Sequence, residues 1–198
     1  GGVYIHAGPE IAVASTKAFT SQITVFLMIA LMIGRMRDIP ISKGKAILKE
    51  LESIPEAIKL VLDNPSQIQK LAKKYKTYQH FLFLGRGINY PIALEGALKL
   101  KEVSYIHAEG FSAGDIKHGP IALVNKDVPT LFIVVKGETF EKIIGNIEEI
   151  KARNGKVIVI TNSSDQRLKK LADDLILIPE TSETFSPLLT IIPLQLFT

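Results

Sequence analysis

Four short runs of consecutive apolar residues, each followed by a segment with helical spacing, constrain the fold of this chain most strongly. These runs are Phe81–Leu84, Leu131–Val135, Val157–Ile160 and Leu175–Ile178. Continuous rather than alternating hydrophobicity is typical of strands that are covered on both faces of a parallel sheet. Strands that alternate with helices along the chain indicate the same architecture. The sequence therefore predicts an α/β fold with a doubly wound, flavodoxin-like parallel sheet.

The residues before these runs have a different pattern, in which helices predominate. Val3–Ile5 has the composition of the end of a strand, and a long apolar helix is predicted from Ser15 to about Met36. A second helix is predicted from Ser42 to Leu62, and we expect Pro55 to kink or break it. A third helix follows the turn before Ser66 and extends to about Tyr75.

An internal similarity suggests how the chain is organised. The segment Tyr4–Glu10, followed by Ser15 and an apolar helix, is echoed by Leu177–Glu180, followed by Ser186 and another apolar helix. Such an echo indicates a duplicated module. Residues 1–65 are then the C-terminal part of a first module with its inter-module helices, and residues 66–198 are a second module whose last helix is cut short. Because one strand and a few helices cannot form a doubly wound sheet, we expect the chain to be a fragment.

Composition excludes several classes of function. The net charge of +4 is spread among acidic residues, and the densest basic run, Lys70–Lys76, is typical of a solvated helix face, so no nucleic-acid partner is predicted. The chain has no cysteine, which excludes disulfides and a cysteine nucleophile. The apolar run Ile23–Ile33 is shorter than the roughly 20 residues that span a bilayer, so we expect a core helix and no membrane partner. With no signal-peptide pattern at the start, a cytoplasmic location is predicted.

A narrow charged stripe lies on an otherwise apolar predicted helix. Glu95, Lys99 and Glu102 are spaced i, i+4 and i+7, so they share one face. Buried charges must be paired or functional. Two interpretations have about equal weight: an internal Glu–Lys pair that satisfies itself, or a carboxylate and an ammonium that together move a proton.

Two connections between predicted strands and helices contain further candidate residues. The turn Gly85–Gly87 follows a strand and is a weak signal for an anion site, because a tight turn explains it equally well. The connection Tyr105–Pro120 holds two histidines and three glycines, which is typical of an active-site loop, although His118 is equally consistent with an ordinary hydrogen-bonded histidine. No spacing of His, Asp or Glu matches a metal site, so neither a metal nor another cofactor is predicted.

Several of these segments resemble the second sugar isomerase (SIS) module of the glutamine–fructose-6-phosphate aminotransferase family. They are Leu84–Gly87, Tyr90–Glu102, Ser104–Glu109 and Lys117–Pro120. The segment Glu10–Thr20 resembles the matching stretch at the end of the first module of the family. Asp115 departs from the pattern, because the family usually has a glutamate there.

This resemblance implies a reaction in which fructose 6-phosphate and ammonia from glutamine become glucosamine 6-phosphate. It implies that Glu102 is the base that moves a proton between C1 and C2, and that Lys99 assists near the sugar hydroxyls and tunes Glu102. It also implies that His118 promotes ring opening in the site of the neighbouring subunit, hence a homodimer.

The resemblance further implies that Val13, Ala14, Ser15 and Glu95 contact the sugar phosphate. A glutaminase domain of the same polypeptide is the implied partner that supplies ammonia. The family's phosphate-binding loop and imine-forming lysine are expected outside this chain, so we expect residues 1–198 alone to be inactive. The alternatives are another SIS-fold phosphosugar isomerase or deglycase, and a non-catalytic phosphosugar-binding module.

Overall fold

A computed structural model describes all residues from Gly1 to Thr198, and its centre is a five-stranded parallel sheet. The strands are His80–Gly85 (β1), His107–Ser112 (β2), Thr130–Val134 (β3), Val157–Thr161 (β4) and Asp174–Leu177 (β5). Their order in the sheet is β2-β1-β3-β4-β5, and all four pairings are parallel. Every residue of β3 and β4 is buried, as continuous apolar strands require. The predicted doubly wound α/β fold is confirmed.

Seven α-helices accompany the sheet. They are Lys17–Met36 (α1), Ile41–Leu62 (α2), Ser66–Tyr75 (α3), Tyr90–Ser104 (α4), Phe140–Ala152 (α5), Gln166–Leu171 (α6) and Ser186–Phe197 (α7). Helices α1, α2, α3 and α7 begin within two residues of the positions predicted from apolar spacing and turn residues. Short 3₁₀ segments connect some of these elements, including Gly87–Asn89 before α4 and Ala113–His118 after β2.

The sheet separates two hydrophobic cores. On one face, Phe81 and Phe83 belong to a cluster that includes residues of α2, α3, α4 and α7. On the other face, Leu82 and Leu84 pack with residues of α5 and with Leu168 of α6. Adjacent residues of β1 thus enter opposite cores, because side chains alternate across a strand.

Helix α1 differs from its prediction as a core helix. None of its residues is buried, although Phe19, Ile23 and Leu27 pack against the larger core. Phe26 is 68% exposed to solvent, and Met36 is 80% exposed. The reason is that α1 packs on α2 and α7, which already cover that face of the sheet. By length and composition alone, α1 is also long and apolar enough to cross a membrane.

A predicted strand and a predicted helix break in the N-terminal region are both absent from the structure. Val3–Ile5 forms no strand, because a strand needs a neighbour and all five strands lie between His80 and Leu177. Helix α2 continues through Pro55 without a break. Ile54 is buried and Ile58 packs against the larger core, so apolar contacts on both sides of the proline hold the helix together.

The connection Tyr105–Pro120 is more ordered than a loop, since it contains β2 and a 3₁₀ segment. Strand β2 has the sequence His-Ala-Glu-Gly-Phe-Ser and lies at the edge of the sheet, where it pairs only with β1. An edge strand need not be apolar throughout, so hydrophobicity alone does not reveal it.

Helix α2 is tied to the C-terminal part of the chain. The Glu50 carboxylate Oε1 accepts hydrogen bonds from the Ser182 backbone N–H at 2.8 Å and from Thr181 Oγ1 at 3.3 Å. These residues follow β5 and precede α7, against which α2 also packs. The N-terminal helices are therefore held by residues more than a hundred positions later in the chain.

Candidate active site

Helix α4 presents the charged stripe and is fixed tightly against the sheet. Ile92, Ala93, Ala97 and Leu100 are buried. A side chain at Gly96 would place its Cβ 3.0 Å from Leu194 of α7 and 3.1 Å from Phe83 of β1. Because glycine lets these elements approach so closely, the position of α4 is set by packing along its whole inner face.

The stripe forms a three-residue ion cluster. The side chain of Lys99 is only 4% exposed, and its Nζ lies 2.5 Å from Glu102 Oε2 and 3.5 Å from Glu95 Oε1. The Glu95 side chain is 14% exposed and that of Glu102 is 33% exposed. Lys99 is thus an internal cation between two carboxylates, of which Glu102 is the more accessible to a ligand.

The two carboxylates have different electrostatic environments. Burial raises the pKa of Glu95, Lys99 opposes that rise, and the Glu102 charge adds to it. Lys99 Nζ donates a hydrogen bond of 2.5 Å to Glu102 Oε2. A partly exposed carboxylate beside a buried lysine can accept a proton from a bound substrate.

His118 lies on a different part of the molecule from the stripe, at the end of the 3₁₀ segment that follows β2. It is exposed, and no hydrogen bond or ion pair joins it to α4. Gly119 after it has φ of +139°, a conformation that favours glycine. Its neighbour Lys117 forms an ion pair of 2.7 Å with Glu149 of α5, which holds the segment to that helix. The imidazole therefore projects from an anchored segment toward solvent.

Val13, Ala14 and Ser15 lie in the segment of bends that precedes α1. Val13 is 98% exposed, and Ala14 and Ser15 are half-buried. No hydrogen bond joins these residues to Glu95, Lys99 or Glu102. The structure therefore brings Glu95, Lys99 and Glu102 together and leaves His118 and the Val13–Ser15 segment apart from them.

At the carboxyl edge of the sheet, the strand order reverses between β1 and β3. The Gly85–Gly87 turn lies there, and a Cβ on Gly85 would meet the Asn89 carbonyl oxygen, so the turn needs glycine. Arg86 reaches Asn146 of α5, with Nη1 3.5 Å from Oδ1. Reversal points of this kind are the usual ligand crevices of open α/β sheets.

Behind this turn lies a buried polar network that sequence reasoning missed. The Asn89 amide donates to Ser186 Oγ at 2.9 Å, and Thr190 Oγ1 donates to Asn89 Oδ1 at 3.0 Å. The network joins the start of α4 to the start of α7. About a hundred residues separate its members, and nothing in the local pattern of either segment marks the pairing.

A family model described as SIS domain matches residues 75–198. The glutamine–fructose-6-phosphate aminotransferase (isomerizing) of Bacteroides thetaiotaomicron is 50% identical over 196 residues, which cover 98% of this chain and 32% of that protein. The protein of the same name from Chlorobaculum tepidum is 48% identical over 195 residues, with coverage of 98% and 32%. The chain thus spans about a third of the length of the curated relatives it matches.

Solved structures show the same similarity. The C-terminal domain of glucosamine-fructose-6-phosphate aminotransferase from Francisella tularensis matches with a TM-score of 0.89 and 36% identity, covering 96% of this chain and 54% of that one. The tagatose-6-phosphate ketose/aldose isomerase from Escherichia coli matches with a TM-score of 0.62 and 18% identity, covering 73% and 41%. The second likeness concerns the fold alone.

Proposed function

The chain belongs to the SIS domain family, and from this premise we propose that it forms part of the isomerase half of a glutamine–fructose-6-phosphate aminotransferase. The proposed substrates are fructose 6-phosphate and ammonia released from glutamine by a glutaminase domain of the same polypeptide. The proposed product is glucosamine 6-phosphate. The observation that carries this proposal is the buried Lys99 ammonium bonded to the partly exposed Glu102 carboxylate.

Glu102 is the proposed base for the proton transfer between C1 and C2 of the open-chain sugar. This role requires an ionised carboxylate that a substrate can reach, and the side chain is one-third exposed beside a cation. Lys99 is almost fully enclosed, which favours a role in holding Glu102 ionised and oriented. Glu95 contacts the same ammonium at 3.5 Å, so Lys99 is held between the two carboxylates.

His118 is the proposed group for ring opening, and Val13, Ala14 and Ser15 are proposed to line the sugar site. An imidazole titrates near neutral pH, so it can both accept and donate a proton during ring opening. The exposed position of His118 on an anchored segment supports a role in the site of a second subunit of a homodimer. A cytoplasmic location remains a prediction from the sequence.

Replacing Glu102 by Gln in the full-length gene product tests the central assignment. Glutamine keeps the size of the side chain, so we expect kcat for glucosamine 6-phosphate synthesis to fall by roughly 10²–10⁴. Exchange of the C1 and C2 protons of the sugar phosphate with deuterated water, followed by NMR, should be lost to the same extent. Glutamine hydrolysis is the internal control for folding, and Glu148→Gln on the exposed face of α5 is the matched variant.

Unchanged synthesis by Glu102→Gln would refute the catalytic role and favour a non-catalytic phosphosugar-binding module. Turnover of a sugar phosphate without any use of glutamine would favour another isomerase or a deglycase of the same fold. A lower synthesis rate with intact glutamine hydrolysis supports the proposal.

The proposed placement of His118 has a separate test. Glu102→Gln and His118→Asn variants, each inactive, are mixed and allowed to exchange subunits. If His118 serves the neighbouring site, the mixture regains roughly a quarter of the wild-type activity, since half of the dimers are mixed and one of their two sites is intact. If His118 serves its own subunit, no activity returns.

A further inference from the structure

Two histidines meet at the amino-terminal end of the sheet, on the edge opposite the Gly85–Gly87 turn. His80 is the first residue of β1 and His107 is the first residue of β2, and the two are directly paired across the strands. Their Nδ1 atoms lie 3.3 Å apart. Both residues are exposed. The proposed reaction uses neither of them.

The separation of this pair fits a hydrogen bond between the two rings and equally fits two ligands of one metal ion. Two imidazoles bound through Nδ1 to a tetrahedral zinc, with Zn–N bonds of about 2.0–2.1 Å, hold those nitrogens about 3.3–3.4 Å apart. Their ring centroids are then about 5 Å apart. The observed nitrogen separation is 3.3 Å, and the centroids are 5.3 Å apart with an angle of 67° between the rings. A metal ion therefore needs little movement of either side chain.

A carboxylate lies near the second nitrogen of one of the two imidazole rings. Glu109 lies two residues after His107 on the same face of β2, and its Oε1 is 3.7 Å from His107 Nε2. Histidines that bind metal through one nitrogen usually donate their other N–H to a carboxylate or carbonyl, which fixes the tautomer and increases ligand basicity. With metal on Nδ1, His107 carries its proton on Nε2, the nitrogen nearest the Glu109 carboxylate.

We propose that His80 and His107 bind a divalent transition-metal ion through their Nδ1 atoms, with Glu109 orienting His107. No group of three or more His, Cys, Asp or Glu side chains in the chain is arranged to hold a metal ion, so water completes the coordination. The ion takes the place of the proton that otherwise joins the two Nδ1 atoms. Imidazole ligands suit Zn²⁺, Cu²⁺ and Ni²⁺ rather than Mg²⁺ or Ca²⁺.

The site lies close in sequence to the charged stripe of α4. Tyr105, with φ of +59°, ends the helix in the left-handed conformation, and only Ile106 separates it from His107. A bound metal would clamp β2 to β1 at the point where the chain leaves α4.

Titration calorimetry with Zn²⁺ on metal-free protein without an affinity tag tests the proposal. We expect one ion per chain. We expect His80→Ala and His107→Ala each to weaken binding at least tenfold, and Glu109→Gln to weaken it about tenfold. His6→Ala, which removes a histidine from the N-terminal segment, is the matched control and should bind as the wild type does.

A spectroscopic measurement keeps the test independent of the variants. Long-range ¹⁵N NMR of the histidine rings should show Zn²⁺-dependent shifts at Nδ1 of His80 and His107 and none at His6. Mg²⁺ should cause no shift. The proposal is wrong if millimolar Zn²⁺ shifts neither ring, or if the His80→Ala variant binds Zn²⁺ as tightly as the wild type.

Discussion

Helices α1 and α7 have similar sequence contexts but opposite environments. Each is rich in Ile and Leu and follows a Pro-Glu pair, Pro9-Glu10 in one case and Pro179-Glu180 in the other. Nine of the twelve residues of α7 are buried, whereas none of the twenty residues of α1 is. The difference is that α7 lies directly on the sheet and α1 packs on α2 and α7.

This comparison shows what apolar composition does and does not determine. An apolar helix gains free energy from any apolar surface that covers it, at about 25 cal/mol per Å². Composition does not say which surface that is, or how much of the helix it covers. Helix α7 contacts β-strand residues, α3 and α4, whereas α1 keeps an outer face with Phe26, Met28 and Met32 more than half exposed.

The largest expected difference between α7 and α1 is the loss in the free energy of unfolding when a large side chain is replaced by alanine. Leu194 of α7 is fully buried against Gly96 of α4. Leu194→Ala should lower the free energy of unfolding by about 2–5 kcal/mol, because the rigid surroundings cannot fill the cavity. Urea denaturation followed by circular dichroism measures this loss. Met28→Ala on α1 is the control, with an expected change within about 0.5 kcal/mol. Equal losses in the two helices would invalidate the comparison.

A smaller difference in the free energy of unfolding is expected when a hydroxyl group is removed from each helix. Thr190→Val keeps the shape of the side chain but leaves Asn89 Oδ1 without its buried donor. We expect a loss of about 1–3 kcal/mol in the free energy of unfolding. Thr24 of α1 makes a comparable bond within its own helix, to the Thr20 carbonyl at 3.0 Å, in a less buried place. A loss for Thr24→Val as large as that for Thr190→Val would contradict the assigned role of burial.

Helix α4, which packs against α7, carries the partly buried charged residue Glu95. Burial raises the pKa of Glu95, so the folded state holds its proton more tightly than the unfolded chain does. The contribution of this group to stability is therefore greatest below the unfolded value near 4.5 and decreases as the pH rises through the folded pKa. In Glu95→Gln this decrease should be absent.

Denaturation midpoints of Glu95→Gln and the wild type, measured from pH 4 to 7, give the comparison. The variant should gain stability relative to the wild type as the pH rises. Parallel curves would mean that Glu95 has the same pKa in the folded and unfolded states. Glu148→Gln, which changes an exposed carboxylate on α5, is expected to give such parallel curves.

The smallest effect on stability is expected at the outer face of α1. Phe26→Ser combined with Met32→Ser should change the free energy of unfolding by no more than about 0.5 kcal/mol per site. The same double variant should reduce self-association of the chain, because exposed apolar patches drive association. Sedimentation velocity over a range of concentrations measures this. A double variant that unfolds easily, or that associates as strongly as the wild type, would show that this face has a different role.

Strands β1, β3 and β4 could be predicted because they contain continuous runs of buried apolar residues. Strand β5 lies at the other edge of the sheet, but its run Leu175–Leu177 is apolar and could be predicted in the same way. Strand β2 could not, since His107–Ser112 contains polar residues and a glycine at the sheet edge. The burial of a helix such as α1 also depends on which surfaces the fold leaves available. That information is absent from the spacing of apolar residues along the helix itself.

For the candidate site, the i, i+4, i+7 spacing of Glu95, Lys99 and Glu102 was sufficient to predict their contact. A helix fixes the relative positions of residues three and four apart. The pairing of His80 with His107 depends on strand register across 27 residues, and the Asn89–Thr190 bond spans 101. Spacing rules describe neighbours within one element, so contacts made by tertiary structure lie outside their reach.

The bond from Glu50 to the segment after β5 has a consequence for the order in which the chain matures. A ribosome completes α2 long before Ser182, yet α2 finds its hydrogen-bond donors and its packing partner α7 only in that late segment. Contacts of such large sequence separation form slowly, because the intervening chain must close first. Helix α2 is therefore among the last of these elements to dock, although it is synthesised before the whole sheet. During translation the apolar face of α2 stays uncovered until α7 has been synthesised.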